Sequence, residues 1–502
     1  MNHIKREQCV YIVLFFLSIL FLSYIHPITL FDADDWTLLG NTRVMLPNFQ
    51  EWNPSKILPE FMMPLSGYIA AYVIRPIVGD YIRAISLSSA LIVSSFIIIY
   101  LYSFSCYCKS VLHVEENKRV LYLLAFLAFH FIFFNSESDH MREYLLRSVN
   151  LTCYFYYVIP FLLSAALTLF FIVTDRTEYS DGRRNSSYIN YSILIPILYL
   201  AIFSNILNNI VLMSYLGSYL CYRLFLFITN GEKNHILEFI ASNKVKIAII
   251  LVWIISLIFE AKGGRAHQIG HPILSLPVAD TMHWLIQTFR RIHPAVYGFM
   301  GIVHSVWILC YICNAKHTID SKPNFFIILM EYLSLCITVL YLVLICSKAV
   351  PDYIGSSEVF IDIAFWLLII SFTMLEDISK TFPRLNQVIP LAAFILIASL
   401  YSGNDVLKPA IMYEVSETRA YQVDSYIIEQ IIRADLNGKE SVNLIVPKGG
   451  KNGNWPFSFY MEKGLAKTLY KHGITSRKMD IKLVPNESVN QNFHILHQFV
   501  EN

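Results

Sequence analysis

Three aspartates fall within four residues in Phe31-Asp32-Ala33-Asp34-Asp35-Trp36, directly after a long apolar run from about Cys9 to Phe31. Carboxylates crowded beside an apolar layer bind protons more readily than isolated ones, which suits a general base that takes a proton from an attacking hydroxyl. The plainer alternative is an acidic first turn of a helix, favoured by the helix dipole, with Trp36 as an interfacial anchor. A second charged stretch, Asn135 to Asn150, holds Glu137, Asp139, His140, Arg142, Glu143 and Arg147. Asp139 and His140 are of types that assist a base or ligate a divalent ion, but their spacing matches no zinc motif and an internally paired, hydrated loop accounts for them. His267, His271, His283 and His293 are spaced too widely for a metal cluster. Cys310 and Cys313 have C-x-x-C spacing but lie in an apolar run with no second pair, and they read as inert thiols.

These groups need elements to position them, and the composition names the class. Of 502 residues, 55% are apolar and 15% charged, against roughly 25% charged in soluble domains. Lys plus Arg is 39 and Asp plus Glu is 37, so no basic excess marks a nucleic-acid binder. The first apolar run is too long for a signal peptide and lacks a small-residue cleavage site, so it reads as a retained span. Further spans are expected at about 84–105, 119–134, 155–174, 189–204, 210–228, 246–260, 297–314, 325–347, 359–375 and 388–402, making about eleven transmembrane helices. Met63 to Gly79 is apolar but short and interrupted by Arg75 and Pro76; it reads as a half-buried or surface-lying helix. The cluster Ser204, Asn205, Asn208 and Asn209 supplies the hairpin between two spans.

Loops carrying Lys109, Lys118 and Arg119; Arg176, Arg183 and Arg184; Lys233, Lys244 and Lys246; Lys316 and Lys322; and Lys380 and Arg384 alternate with longer loops of lower basic density. The positive-inside rule then places the N-terminus in the cytoplasm and the tail outside it. From Tyr401 the composition turns polar. Helix Glu417 to Leu436, strand Val442 to Val446, helix Phe457 to His472 and strand Ile481 to Val484 are expected, with Asn437-Gly438 as a stop and the tail forming a small α/β domain. The loop Gly449 to Trp455 lacks the G-K-[S/T] ending of a nucleotide loop. Trp455, near Phe457 and Tyr460, either stacks on a sugar ring or packs on the tail's own core.

A short first span, an Asp-rich outer loop, many further spans and a soluble C-terminal domain outside the cytoplasm resemble the membrane glycosyltransferases of the GT-C class. Within that class the length, the Asp34-Asp35-Trp36 element, the Gly263-Gly264-Arg265 segment and the compact tail resemble the bacterial, often phage-carried, serotype-converting O-antigen glucosyltransferases. The resemblance implies a GT-C-like transmembrane domain over 1–402, with outer loops 31–83, 135–154 and 261–296, and a periplasmic α/β domain over 403–502. It implies transfer of a hexose, glucose in that family, from undecaprenyl phosphate to O-antigen of lipopolysaccharide on the outer face of the bacterial inner membrane.

Carried onto this chain, the base is Asp34 or Asp35, with Asp32 third. The departing polyprenyl phosphate calls for arginine, whose planar fork matches phosphate oxygens. Arg265 ranks first, because two glycines before it let backbone N–H groups approach an anion, and Arg142, Arg147, Arg290 and Arg291 follow. Trp455 is assigned to the acceptor. No cofactor is required, and a divalent metal is compatible with these residues but unsupported by them. The expected partners are the polyprenyl-phosphate sugar donor, the O-antigen polysaccharide acceptor and the lipid bilayer. Two rival readings are an O-antigen polymerase or ligase and a transporter or flippase of lipid-linked sugars. The second would use an intramembrane carboxylate such as Glu331, ahead of Asp362 and Glu260.

Overall fold

The computed structural model describes residues 6–30, 33–41, 55–134, 144–148, 150–181, 191–229, 236–261, 272, 275–314, 323–382, 411–412, 415–448 and 461–495. Helices dominate it. In chain order they are α1 (Arg6–Leu20, run on by a π turn Phe21–Ile25), α2 (Ala33–Leu39) and α3 (Ile57–Ile69, extended through Ala70–Ile74 and Arg75–Val78). There follow α4 (Tyr81–Ser110), α5 (Glu116–Ile132) and α6, which opens with Leu151–Cys153 and a π turn Tyr154–Val158 before Ile159–Asp181. Next come α7 (Tyr191–Ile202), α8 (Ile210–Thr229), α9 (Ile236–Ala261), α10 (Val278–Arg290), α11 (Pro294–Asn314), α12 (Pro323–Lys348) and α13 (Ser357–Thr381).

Eight helices among the described residues are long and apolar enough to cross a membrane: Glu7–Ile25, Ile57–Val78, Tyr81–Ser110, Leu151–Arg176, Ile210–Thr229, Pro294–Ile312, Phe325–Lys348 and Ser357–Thr381. They support a membrane-embedded helical protein. Seven of the eight coincide with spans expected from the sequence. Two other expected spans, 119–134 and 189–204, are helical but shorter, at 17 and 12 residues; 246–260 lies within α9; and 388–402 lies outside the described residues. Outward rows such as Ile12, Val13, Phe16 and Leu17 on α1 and Leu251, Ile254, Ile255 and Ile258 on α9 are exposed, as a lipid-facing stripe requires.

The helix ends sort onto two faces, fixed by side-chain pairs. On one face Arg119 pairs with Glu7 at 2.6 Å, Lys118 with Glu376 at 2.5 Å and Lys246 with Asp175 at 2.7 Å, while Lys380 donates to Leu112 O at 2.8 Å. The opposite face gathers α2, the start of α4, the loop before α6, the turn between α7 and α8, helix α10 and the start of α13. There Leu151 N donates to Thr29 O, Asn208 Nδ2 to Glu358 O, and Phe134 pairs with Ile292. Between the faces lies an aromatic layer in which Phe104 stacks on Phe126 at 3.9 Å, with Tyr100, Phe161, Phe365 and Phe372 edge-on or tilted around them.

Helix α3 is the eighth long apolar helix, and it stands where the sequence suggested a surface-lying segment. Its length and composition allow a crossing. Its contacts keep it on the second face: Met63 touches Thr152, Gly67 lies against Leu39 and His472, and Tyr72 and Arg75 donate to Lys471 O and Gly473 O. Gly79, at φ 78°, turns the chain sharply, and Asp80 caps α4 by accepting from Arg83 N at 2.8 Å.

The C-terminal domain opens with a two-residue antiparallel pair, β1 (Ile411–Met412) and β2 (Val415–Ser416), which the sequence did not announce. Helix α14 (Glu417–Leu436) has the expected bounds, and Gly438, at φ 71°, ends it. Strand β3 (Ser441–Pro447), helix α15 (Met461–Lys471) and strand β4 (Asp480–Asn486) form a β-α-β unit with the strands parallel, Leu444 opposite Leu483, before a final short helix α16 (Glu487–Asn492). Ile427, Ile431, Leu444, Val446, Leu465 and Leu469 fill its core.

The far-face ion pairs are largely buried, with side-chain exposures of 15% for Lys118 and 6% for Glu376. Lys118→Met leaves the Glu376 carboxylate uncompensated and is expected to cost about 3 kcal/mol. Lys118→Met with Glu376→Leu is expected to recover most of that, read as thermal unfolding of the detergent-solubilised protein; equal melting of single and double variants refutes the pairing.

Candidate active site at the junction of the first loop and the C-terminal domain

Asp34 and Asp35 occupy the first turn of α2, where their charge meets the positive end of the helix dipole. Their environments differ. Asp34 is exposed, whereas Asp35 is fully buried. Thr152 donates to Asp35 Oδ1 twice, from its backbone N–H at 2.7 Å and from Oγ1 at 2.5 Å. Thr152 is placed by its own helix start, because the Asn150 side chain accepts from Cys153 N at 2.8 Å as an N-cap. The turn that follows, Tyr154–Val158, is π-helical, a wide turn frequent at functional sites.

The C-terminal domain closes over this element. Thr468 Oγ1 donates to Trp36 O at 2.5 Å, Lys471 Nζ to Gly40 O at 2.8 Å, and Lys467 Nζ to Asn41 Oδ1. A Cβ on Gly464 would overlap Thr37 Oγ1, and one on Gly40 would overlap Thr468, so both glycines are required by close approach. The domain also grips α3 and α4. Tyr81 OH lies 2.6 Å from His472 Nδ1, and Tyr421 OH donates to Asp80 Oδ2 at 2.6 Å with Arg83 over the Tyr421 ring. Burial, with Lys471 beside it, pushes His472 down to about 4, so the ring is neutral at neutral pH and shares one hydrogen bond with Tyr81 through Nδ1.

One turn beyond Tyr421, Asp424 is 2% exposed, and its Oδ2 has no hydrogen-bond partner among the described residues. Burial first, and the nearby Asp35 charge second, push its carboxyl well above the usual carboxylate range. A buried acid without a cation beside it stays neutral.

Other polar groups line the same face. Arg290 is exposed at the end of α10. Arg291 is half-buried, its guanidinium 5.5 Å from the Phe134 ring and donating to Gly355 O at 3.4 Å, and burial pushes it down from the ordinary arginine range. Glu358 accepts from Ser148 Oγ. A small cleft is lined by Ser55, Lys56, Ser204, Asn205, Ser256 and Glu260, with Lys56 Nζ 3.7 Å from Glu260. Among the described residues no three His, Cys, Asp or Glu side chains converge to hold a metal ion. The buried Glu331 accepts through Oε1 from Tyr107 OH at 2.6 Å and Thr373 Oγ1 at 3.2 Å, nearer the far face, and Asp362 Oδ1 lies 3.5 Å from Asn208 Nδ2; among the described residues Glu331 Oε2 and Asp362 Oδ2 have no partner.

Of the site residues read from the sequence, Asp34, Asp35, Arg290 and Arg291 stand on one face. Asp32, Arg142, Arg265 and Trp455, with Asp139, His140, His267 and His271, lie outside the described residues. Thr152, His472 and Asp424 were not singled out. Asp424 left a signal in the sequence: it interrupts the apolar stripe Ala420, Ile427 and Ile431 at helical spacing, where a carboxylate has no business unless something faces it. Compared with known proteins, the chain matches no family model, no curated relative and no solved structure.

Two outcomes follow from the junction. Gly464→Ala is expected to undock the domain, at a cost of about 1–3 kcal/mol, seen as faster protease cleavage of the C-terminal domain. His472 has a folded pKa of about 4 against 6.5 when free, so its neutral form contributes stability that is full above pH 6.5 and lost as pH falls towards 4, roughly 3 kcal/mol in all. His472→Gln is expected to remove that acid-side component from the pH dependence of unfolding; an unchanged difference from wild type between pH 4 and 7 contradicts it.

Proposed function

We propose that the chain is a GT-C-type glycosyltransferase that moves a hexose from a polyprenyl-phosphate donor to O-antigen polysaccharide at the outer face of a bacterial inner membrane. One observation carries the reading: the acidic pair that follows the first span is divided between an exposed carboxylate, Asp34, and an anchored one, Asp35 held by Thr152. An exposed carboxylate on a fixed helix is the arrangement a general base needs. The far face carries Lys109, Lys118, Arg119, Lys244, Lys246 and Lys380, which favours the cytoplasm for that side and the periplasm for the Asp34 side.

In the proposed step Asp34 takes the proton of an acceptor hydroxyl as that oxygen attacks the anomeric carbon. The bond from that carbon to the phosphate oxygen breaks, and its electron pair leaves with the polyprenyl phosphate. Asp35 holds the helix and does not touch substrate. Arg290 and Arg291 stand on the same face, where guanidinium groups stabilise a departing phosphate near headgroups, with Arg265 and Arg142 assigned the same task by the family resemblance. The transporter reading has less support, since Glu331 is taken up by Tyr107 and Thr373 within the packed interior.

The test is surface polysaccharide composition in an O-antigen-bearing strain with and without the gene, together with variants of normal abundance. Asp34→Asn is expected to lower hexose addition by at least roughly a hundredfold, and Thr152→Val by roughly tenfold. A change in O-antigen chain length without a change in sugar composition would favour the polymerase or ligase reading, and full activity of both Asp34→Asn and Asp35→Asn would sink the transferase mechanism.

A further inference from the structure

Helix α10 lies across the end of the bundle on the second face. Its buried stripe, Thr281, Leu285 and Thr288, recurs at helical spacing. Ser347 Oγ, in the last turn of α12, donates to Thr281 Oγ1 at 2.7 Å. Thr288 Oγ1 stands 3.2 Å from where a Cβ on Gly355 would sit, in the 3-10 turn Pro351–Gly355 before α13, and just past the helix Ile292 pairs with Phe134, after the end of α5. On one flank of the stripe Val278, Met282 and Ile286 are exposed, and the row runs on through Phe289, whose carbonyl accepts from Tyr297 OH, to the exposed Tyr297 and Ile302 of the spanning helix α11. That flank faces lipid.

Trp284 does not share it. The indole lies roughly 160° round the helix from that row and is 45% exposed. Its neighbours at helical spacing are polar, since Asp280, Trp284, Gln287 and Arg291 follow one another along the opposite flank. An exposed aromatic ring turned away from lipid is a surface for another ligand. We propose that Trp284 is a stacking platform for a sugar ring of the acceptor polysaccharide, with Asp280 and Gln287 beside it to bond the ring's hydroxyls.

The platform is fixed from behind. A Cβ on Gly355 would lie 3.7 Å from Trp284 Cε3 and 4.0 Å from its Cβ, so the 3-10 turn packs against one edge of the indole, and Arg291 Nη1 donates to Gly355 O at 3.4 Å to hold the turn there. A rigid aromatic ring with a set orientation loses little entropy when a ligand stacks on it. Among the described residues the side chains of Asp280, Trp284 and Gln287 make no hydrogen bond, which leaves a carboxylate, an indole N–H and an amide for hydroxyls that both donate and accept. Contacts also tie this flank to the acidic pair. Ser357 Oγ donates to Arg147 O at 3.5 Å and Ser148 Oγ to Glu358, and the same loop runs on through the Asn150 cap to Thr152, which holds Asp35. The inference rests on the transferase reading for the identity of the saccharide, whereas binding is measured without transfer.

The experiment uses the full chain in lipid nanodiscs and, as probe, O-antigen polysaccharide freed of its lipid, from the strain that carries the gene. Calorimetric titration is expected to show Trp284→Ala binding about tenfold more weakly than wild type and Trp284→Phe, which keeps a ring, within about threefold of it. In transfer assays Trp284→Ala is expected to raise the acceptor KM by the same factor with kcat unchanged. A second readout locates the ring: the tryptophan emission lost in Trp284→Phe is expected to respond to polysaccharide and to be indifferent to lipids brominated on their acyl chains. Equal affinity of wild type and Trp284→Ala overturns the proposal, as does quenching of the Trp284 emission by brominated lipid, which would make the ring a membrane anchor. If wild type binds polysaccharide but transfers no hexose, the transferase reading fails and the platform stands. If wild type binds none, the platform fails, and the composition of the surface polysaccharide still decides the transferase reading.

Discussion

The close approach of α2 to α15 is the contact on which the arrangement depends. Gly464 against Thr37 and Gly40 against Thr468 bring the two helices nearer than any side chain would permit, and Thr468 then reaches the Trp36 carbonyl. A seven-residue helix has little stability of its own. Clamped between the C-terminal domain and Thr152, it becomes a fixed element that presents one carboxylate outwards and buries the other. Without that clamp the acidic segment after the first span would be a hydrated loop end.

The bilayer constraint shapes everything beneath the clamp. A lipid-facing helix must satisfy its own polar groups, and several buried hydroxyls do so locally: Thr168 to Ser164 O, Ser218 to Ser214 O and Thr373 to Ile369 O all bond back one turn. Apart from Glu331 and Asp362, which are buried in the spans, charge gathers at the two faces. On the far face it forms tight cation–carboxylate pairs; on the domain face it forms the junction, where Asp424 is buried and, among the described residues, pairs with no cation. This asymmetry gives the two ends of one bundle different duties, one structural and the other open to chemistry.

Most of the helical architecture was legible in the sequence because apolar runs of spanning length have few alternatives. Helix α14 was legible to the residue because its stripe begins at Glu417 and meets Asn437-Gly438 as a stop. Other elements were less so. Helix α3 contains Pro64 and Arg75-Pro76, which the sequence reads as breaks, yet the helix runs through both, Pro64 within Ile57–Ile69 and Pro76 directly after the π turn Ala70–Ile74. Strands β1 and β2 are too short for any periodicity to reveal.

Sequence alone pointed to a membrane-embedded helical protein with a more polar tail, and to an acidic segment after the first apolar run, because hydropathy and residue order are one-dimensional properties. It also narrowed the proposed base to adjacent aspartates without separating them. Only the tertiary structure divided Asp34 from Asp35, since the division depends on Thr152, more than a hundred residues later, reaching one carboxylate. It alone brought the C-terminal domain to the same place, Thr468 reaching the Trp36 carbonyl from the other end of the chain, for such contacts exist only once distant segments have packed.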